Sequence, residues 1–453
     1  MDATTSTTNP RKRNLLISRN YAFLWSGQAI SNLGDMVFDT TLVLWVATKI
    51  AAGQSWSPLA VSGVMLSAAL PVLLVGPLAG VFVDRWDKRR TMLLMDGIRT
   101  LLIALLFLTA LPLPLHFSPF VQLGLIYATV ALASTCAQFF EPARTTLLGD
   151  IVDEADQARA GGLGQVSRNL AVIIGPPLAA PLLFVVGVQW ALLINALSFV
   201  ASFIAILAVR LPSRVENSES ASKQVPNFWS ELATGLRFFA HSRVLVTLLI
   251  SIIIVTLGTG ALNALDVFFV TQNLHTDPNL YGVIGMGLGV GSILGALLSA
   301  FFTQRLGVVR TYWGCLVSAG LLMLLYSRMN SFVPAFIVIS FVGIPIAALN
   351  AAMFPLLLHA APRELLGRVV AVLTPSLTLA SLLSTVLAGF LASNLLLGFH
   401  ATAFGVTFGT IDTIFSVSAI LIILGGLYAL INLRHIRLDE KPSSPQEEIA
   451  IAE

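Results

Sequence analysis

Apolar residues in this chain do not alternate with polar ones at the period of a strand; they run. Segments such as 58–83, 101–111, 190–209 and 411–433 are long and nearly free of charge. A bilayer core takes roughly 20 such residues as one helix, and helices satisfy their own backbone hydrogen bonds in lipid. Twelve candidate spans can be drawn: 21–48, 58–83, 91–112, 119–141, 163–186, 190–209, 244–271, 281–303, 311–327, 332–359, 369–392 and 408–433. The pattern predicts an all-α polytopic membrane protein of twelve transmembrane helices joined by short connectors.

Composition agrees. The 453 residues are 56% hydrophobic and 11% charged, against about 25% charged in soluble domains. The polar start, MDATTSTTNPRKRN, does not resemble a cleaved signal peptide, and the apolar run after it is longer than a signal's. The first helix is therefore expected to stay in the mature protein.

The placement of charge then sets orientation. With the N-terminus in the cytoplasm, 23 of the 26 Lys and Arg fall on the inner side, Lys49 and Arg328 fall outside, and Arg99 lies in the membrane. This is the positive-inside bias, so both termini are expected in the cytoplasm. The net charge of +3 follows from that bias and does not point to nucleic acid.

The polar connector RLPSRVENSESASKQVPN at 210–227 divides the spans six and six. The expected organisation is a cytoplasmic tail (1–20), a six-helix bundle (21–209), a linker (210–243), a second bundle (244–433) and a tail (434–453). Residues 228–243 resemble an amphipathic helix at the membrane surface. LGDMVFDTTLVLWV at 33–46 lies over LGTGALNALDVFFV at 257–270, and Asp84-Arg85 lies over Gln304-Arg305 at a shift of 220. A duplicated six-helix unit accounts for both. Secondary transporters use such repeats, with the substrate site near the midplane between them.

The connector GVFVDRWDKRR between spans two and three resembles the G-x-x-x-D-R-x-G-R-R signature of the major facilitator superfamily: Gly80, Asp84, Arg85, Arg89 and Arg90 match, and Asp87 stands where Gly is usual. In span five, Gly162, Ala171, Gly175 and Pro176 keep the spacing of that superfamily's antiporter signature, with Ala in place of the middle Gly. FLWSGQAISNLGD at 23–35 and PRELLGRV at 362–369 resemble the drug:proton antiporter branch that contains macrolide and enterobactin exporters. The resemblance implies the two-bundle fold and a cytoplasmic latch, with Asp84 acting on neighbouring cations and a helix N-terminus of the second bundle. Turn geometry at Asp87 and close helix approach at the small residues of span five are the accompanying expectations.

Several polar groups remain to be placed. Gln28, Asn32, Asp35 and Asp39 are spaced by four, three and four residues, which puts them within about 60° on one helix face. Such a stripe is too costly to face lipid and is expected to line a cavity; hydrogen bonding between helices is the alternative. Asp35 falls near the midplane, and burial together with the like charge of Asp39 favours a bound proton there. Asp35 is thus the candidate coupling residue. Thr259, Asn263 and Asp266 form the matching stripe in span seven, and the two stripes are expected to face each other. Asp96 and Arg99, three apart, read as an ion pair that supports the fold, and Glu141 with Arg144 as structural or gate contacts. The glycines of YGVIGMGLGVGSILG at 281–295 suit close helix packing in an apolar span and not a nucleotide loop.

No metal arrangement is visible among His116, His241, His275, His359, His400 and His435. Cys136 and Cys315 read as small apolar residues within helices. With no phosphate loop, no cofactor and no catalytic set, enzyme chemistry is not expected. The sequence points to a secondary transporter of the bacterial cell membrane, working as a monomer and exchanging protons for amphipathic small molecules. A lipid or metabolite carrier or importer, and a non-transporting sensor or scaffold, are the alternatives it leaves open.

Overall fold

A computed structural model describes residues 16–111, 117–210, 242–361, 366–403 and 406–434. Most of the linker, with the amphipathic segment at 228–241, lies outside the described residues, as do residues 1–15, 362–365 and 435–453.

The first bundle contains α1 (Arg19–Trp45), α2 (Ser57–Leu74), α3 (Gly76–Arg85), α4 (Lys88–Ala110), α5 (Pro119–Ile151), α6 (Glu154–Pro181) and α7 (Val188–Ala208). The second contains α8 (Arg243–Phe268), α9 (Tyr281–Leu306), α10 (Val308–Tyr326), α11 (Phe332–Ala360), α12 (Leu366–Phe390) and α13 (Thr410–Leu433). Between α12 and α13 stands a short antiparallel hairpin, β1 (Ala401–Ala403) and β2 (Val406–Phe408), with Ala401 opposite Phe408.

Eleven helical stretches among the described residues are long and apolar enough to cross a membrane. The twelfth crossing is α1, 27 residues long, whose polar stripe lowers its hydropathy. Large apolar side chains such as Leu101, Leu297 and Ile431 are exposed on the outside of the bundles, as a lipid-facing surface requires.

Local chemistry sets the helix ends. Ser18, Asp87, Ser118 and Ser242 each accept a hydrogen bond from a backbone N–H in the first turn of the helix they precede, which satisfies one of its orphan donors. Asp87 has φ −65° and ψ 117°. The turn therefore needs no left-handed residue, and the usual Gly is replaced by a capping carboxylate without strain. The span expected at 58–83 is broken: α2 ends at Leu74 and α3 starts at Gly76. Pro77 supplies no backbone N–H and disfavours a helical residue before it. Spans four and five run further inward than their apolar cores, to Ile151 and from Glu154, because the polar sequence there still forms helix.

The two bundles repeat their packing. In the first, α1 packs on α6 and α7; in the second, α8 packs on α12 and α13. A Cβ added to Gly34 would collide with Ser198 of α7, and one added to Gly258 would collide with Ile422 and the Ser418 carbonyl of α13. These are the aligned glycines of the internal repeat.

The bundles meet along two seams, α6 against α9 and α2 against α12. At the first, Gly282 lies against the Pro176 carbonyl and Gly289 against Ile173. At the second, Gly389 lies against Ser62 and Pro58, Ser62 Oγ donates to the Thr385 carbonyl at 3.0 Å, and the Leu59 N–H donates to Ser393 Oγ at 3.1 Å. These contacts lie toward the end that carries Lys49 and Arg328, which the charge pattern assigns to the outside. The glycines of α9 use two faces. Gly287, Gly291 and Gly295 admit α11 within the bundle, while Gly282, Gly285 and Gly289 face α6 across the seam. Close packing is the reading the sequence favoured.

Candidate functional site

All seven α1 and α8 stripe residues keep some exposure, to different degrees. Asp39 and Asn263, aligned in the repeat, are exposed, whereas Gln28, Asn32, Asp35, Thr259 and Asp266 are half-buried. An exposed carboxylate in a membrane helix is too costly to meet lipid, so Asp39 marks a water-accessible space between the helices.

Gln28 turns instead toward α7. Its Nε2 donates to Ser202 Oγ at 3.1 Å, and Gly34, beside Asp35, lies against the side chains of Asn195 and Ser198. Ser198 Oγ donates to the Asn195 carbonyl at 2.8 Å and lies 3.2 Å from its Oδ1. These contacts are possible because Gly27 and Gly34 bring α1 close to α7. Asn195, Ser198 and Ser202 are buried and were not singled out in the sequence. Their spacing of three and four in an apolar helix is the signal that reveals the α1 stripe.

Ser202 Oγ in turn donates to Asp96 Oδ2 at 2.6 Å. Asp96 is fully buried, and Arg99 Nη1 stands 3.8 Å from its Oδ1. The Arg99 guanidinium lies 5.1 Å from the centre of the Phe140 ring and 5.3 Å from that of Phe199. Nearby on α5, Arg144 Nη2 pairs with Glu141 Oε2 at 2.6 Å. The first bundle thus holds a polar chain from Gln28 through Ser202 to Asp96, with Arg99 beside it and Asp35 on the neighbouring helix.

The second bundle is different. Asp266 accepts a hydrogen bond from Tyr326 Oη at 2.8 Å, and Tyr326 packs with Phe269 and Phe415. The Thr259 hydroxyl donates to its own helix, to the Thr256 carbonyl. Asp266 is therefore tied within its own bundle by an aromatic hydroxyl.

Arg328, expected outside, pairs with Asp412 at 3.6 Å, hydrogen-bonds Ser416, and lies under the Phe408 ring at 4.3 Å. That pair edges a chamber of about 1290 Å³ with walls from both bundles, including Thr48, Gln54, Gln272 and His400. The sequence offers no link between residues 328 and 412.

At the inner end, the signature connector is only partly engaged. Arg89 donates to the Ile206 carbonyl at 3.2 Å and the Leu207 carbonyl at 2.6 Å, capping α7 where a cation suits the helix C-terminus. Lys88 caps α3 through the Val83 and Asp84 carbonyls, each at 2.7 Å. The Asp84 carboxylate and the guanidiniums of Arg85 and Arg90 are exposed or nearly so, and among the described residues none has a hydrogen bond or ion pair. Around Gly80 an added Cβ would meet nothing within 4 Å.

In the span-five signature, Gly175 touches Met36 of α1, Ala171 is buried and Pro176 meets Gly282. Gly162 does not share this role. It is exposed with open space around it. Among the described residues no group of His, Cys, Asp and Glu has a metal-binding arrangement.

Comparison with known proteins places these features. Residues 14–452 match a family described as transmembrane secretion effector. The chain is 23% identical to the uncharacterized MFS-type transporter YkuC of Bacillus subtilis, over 62% of this chain and 65% of that protein. It is 23% identical to macrolide efflux protein A of Streptococcus pyogenes, over the same shares of each chain. It is 26% identical to the multidrug efflux pump Tap of Mycobacterium bovis, over 80% of this chain and 88% of that one. The chain thus matches somewhat less than two thirds of the length of the first two of these relatives. Among solved structures, a bacterial homologue of the iron transporter ferroportin in an inward-facing state superposes with a TM-score of 0.69 at 15% identity, covering 92% of this chain and 99% of that one.

Proposed function

The chain belongs to the transmembrane secretion effector family of the major facilitator superfamily, and from that premise we propose that this multi-pass transporter is a proton-coupled exporter of amphipathic small molecules. Its family is one of transporters and not of enzymes. The relatives whose printed names state a role are efflux proteins, which supports export. The proposed setting is a bacterial cell membrane, with both termini in the cytoplasm and a monomer as the working unit.

The observation that carries the proton is the acid pair of α1. Asp35 and Asp39 share a helix face four residues apart, Asp39 is exposed inside the span, and like charges so placed favour taking up a proton. In the proposed cycle the two bundles rock about the space between them. When the outer seams part, an external proton neutralises Asp35 and cargo is released. When they close, as they are here, the proton leaves to the cytoplasm and cargo binds. Asp84 has no partner among the described residues in this closed-outside arrangement, which fits a latch that engages in the opposite one.

Accumulation of ethidium and of erythromycin in cells with and without the protein, before and after collapse of the proton gradient, tests the reading. Asp35→Asn is expected to abolish gradient-driven export and to leave downhill exchange in place. Gradient-driven export by that variant at the wild-type rate moves the proton to Asp39. Equal accumulation of every probe with and without the protein removes the exporter.

A further inference from the structure

The Asp96–Arg99 pair is not built as a brace. A guanidinium that braces a carboxylate does so through N–H···O bonds of about 2.7–2.9 Å, often two in parallel. Here the closest approach is 3.8 Å, and Asp96 Oδ1 accepts no hydrogen bond although it is buried. Its other oxygen, Oδ2, is fixed from the far side by Ser202, and Ser202 is fixed by Gln28. The guanidinium rests between two ring faces, Phe140 on α5 and Phe199 on α7. Ring faces attract a cation without demanding the aligned geometry of a hydrogen bond. The carboxylate is therefore held still while the cation beside it has room to shift.

A second carboxylate lies within its electrostatic reach. Gly34, the residue before Asp35, lies against Ser198 and Asn195 of α7, and Phe199 on the same stretch of α7 carries the Arg99 guanidinium, so the two carboxylates flank one short length of that helix. Between them runs the buried polar edge of α7, with Asn195, Ser198 and Ser202.

We propose that Arg99 is a movable counter-ion shared by Asp96 and Asp35, and so a positioning residue for coupling. The proposal rests on Asp35 as the proton carrier. With Asp35 ionised, the guanidinium leans toward it and Asp96 keeps its bond from Ser202. When Asp35 takes a proton, or a cationic cargo takes its place, the guanidinium swings to the unfilled Oδ1 of Asp96. Arg99 keeps its own protons throughout. The three groups together pass from one negative charge to none, and the proton taken up resides on Asp35 alone. The other titratable or charged groups that face this cluster are Asp39 on α1 and Cys136, Glu141 and Arg144 on α5. On α7 the facing groups are neutral.

The test uses the full chain in lipid nanodiscs and needs no cargo. Infrared difference spectra taken across pH give the protonation midpoint of Asp35, its carboxyl band being the one that Asp35→Asn removes. Asp96→Asn keeps the shape and the Ser202 contact, and leaves Arg99 with one carboxylate to serve. The Asp35 midpoint is then expected to move toward acid by about one pH unit, because a cation favours the ionised form. Arg99→Gln removes the cation and is expected to move it the other way. A fixed pair gives the same two signs by charge alone, so the sharing is read from Asp96→Asn made in the Arg99→Gln background. With a shared cation much of the acid shift is lost there, and an equal acid shift in both backgrounds overturns the sharing. An Asp35 midpoint unchanged in Asp96→Asn overturns the shared counter-ion, while the absence of any titrating Asp35 band in the parent protein overturns the proton carrier itself. Should Arg99→Gln fail to fold, the guanidinium bands of the parent protein decide: they shift as Asp35 takes its proton if Arg99 moves, and bands that stay fixed across that midpoint overturn the proposal.

Discussion

Gly34 lets α1 approach α7, and Gly258 does the same for α8 and α13, yet the polar residues that follow the two glycines behave differently. On α1, Asp39 is left open, and on the way to it Asp35 follows the glycine that lies against buried Asn195 and Ser198 of α7. On α8, Asn263 replaces the exposed acid, and Asp266 is tied to Tyr326 inside its own bundle. The scaffold is duplicated and the charge is not. An ion buried in a membrane bundle costs several kcal/mol unless it is paired or hydrogen-bonded, so a duplicated protein gains by keeping its ionisable machinery on one side and using the other as a rigid partner. The charged pair of the second bundle, Arg328 with Asp412, sits instead at the outer chamber, away from the spans' middle.

The largest expected effect breaks the partnership between the bundles. Gly282→Val places a side chain against the Pro176 carbonyl, where even one added methyl collides, and backbone cannot yield cheaply. The α6–α9 seam should fail to close, with gradient-driven export falling by at least tenfold. A cysteine placed at Gln54, which is exposed in the outer chamber, should react faster with a membrane-impermeant maleimide in that background than in the parent. Unchanged labelling together with full export contradicts the assignment of this seam as an outer gate.

A smaller effect probes the inner end, where only the first bundle carries the full signature. Asp84 is exposed and, among the described residues, unpartnered in this arrangement, so its contribution is expected in the other one, against a helix N-terminus. Such a contact is worth about 0.3–1 kcal/mol when exposed, a roughly two- to fivefold shift in a conformational equilibrium. Asp84→Asn should slow transport by about that factor and leave the amount of membrane-inserted protein unchanged on a quantitative blot. A drop in protein amount instead makes Asp84 a folding residue.

What could be read in the sequence follows from how far each interaction reaches along the chain. The spans were legible because bilayer thickness imposes about 20 apolar residues on each. The α1 stripe was legible because its members are three and four residues apart on one helix. The break after Leu74 had its sign in Gly76-Pro77, but an unbroken apolar run outweighed it. The inward extension of α5 and α6 had none, since TTLLGDI and EADQARAGG are polar and leave a hydropathy pattern while remaining good helix. Ser202 and Asp96 are 106 residues apart, and Arg328 and Asp412 are 84 apart. Pairings of that kind are set by which helices pack together, and one sequence carries no periodicity that reports it. The looseness of the Asp96–Arg99 pair was also hidden. A spacing of three says that two side chains are neighbours and not how they divide their hydrogen bonds.

The smallest effect is the one that bears most directly on the contrast between α1 and α8. Asp266 Oδ1 accepts from Tyr326 Oη, and among the described residues no Lys or Arg is paired with it. An Asn at this position keeps an oxygen that can accept the same bond, and the surrounding rings of Phe269, Tyr326 and Phe415 keep their packing. The exchange of a neutral hydrogen bond for a charge-assisted one alters stability by about 1 kcal/mol. Asp266→Asn is therefore expected to export ethidium under a proton gradient within about twofold of the parent, at a similar level of membrane protein. Asp35→Asn, compared in the same cells, is expected to lose gradient-driven export altogether. If the two variants lose export equally while both remain in the membrane, the second bundle carries coupling charge as well, and the asymmetry between the halves is one of geometry and not of function.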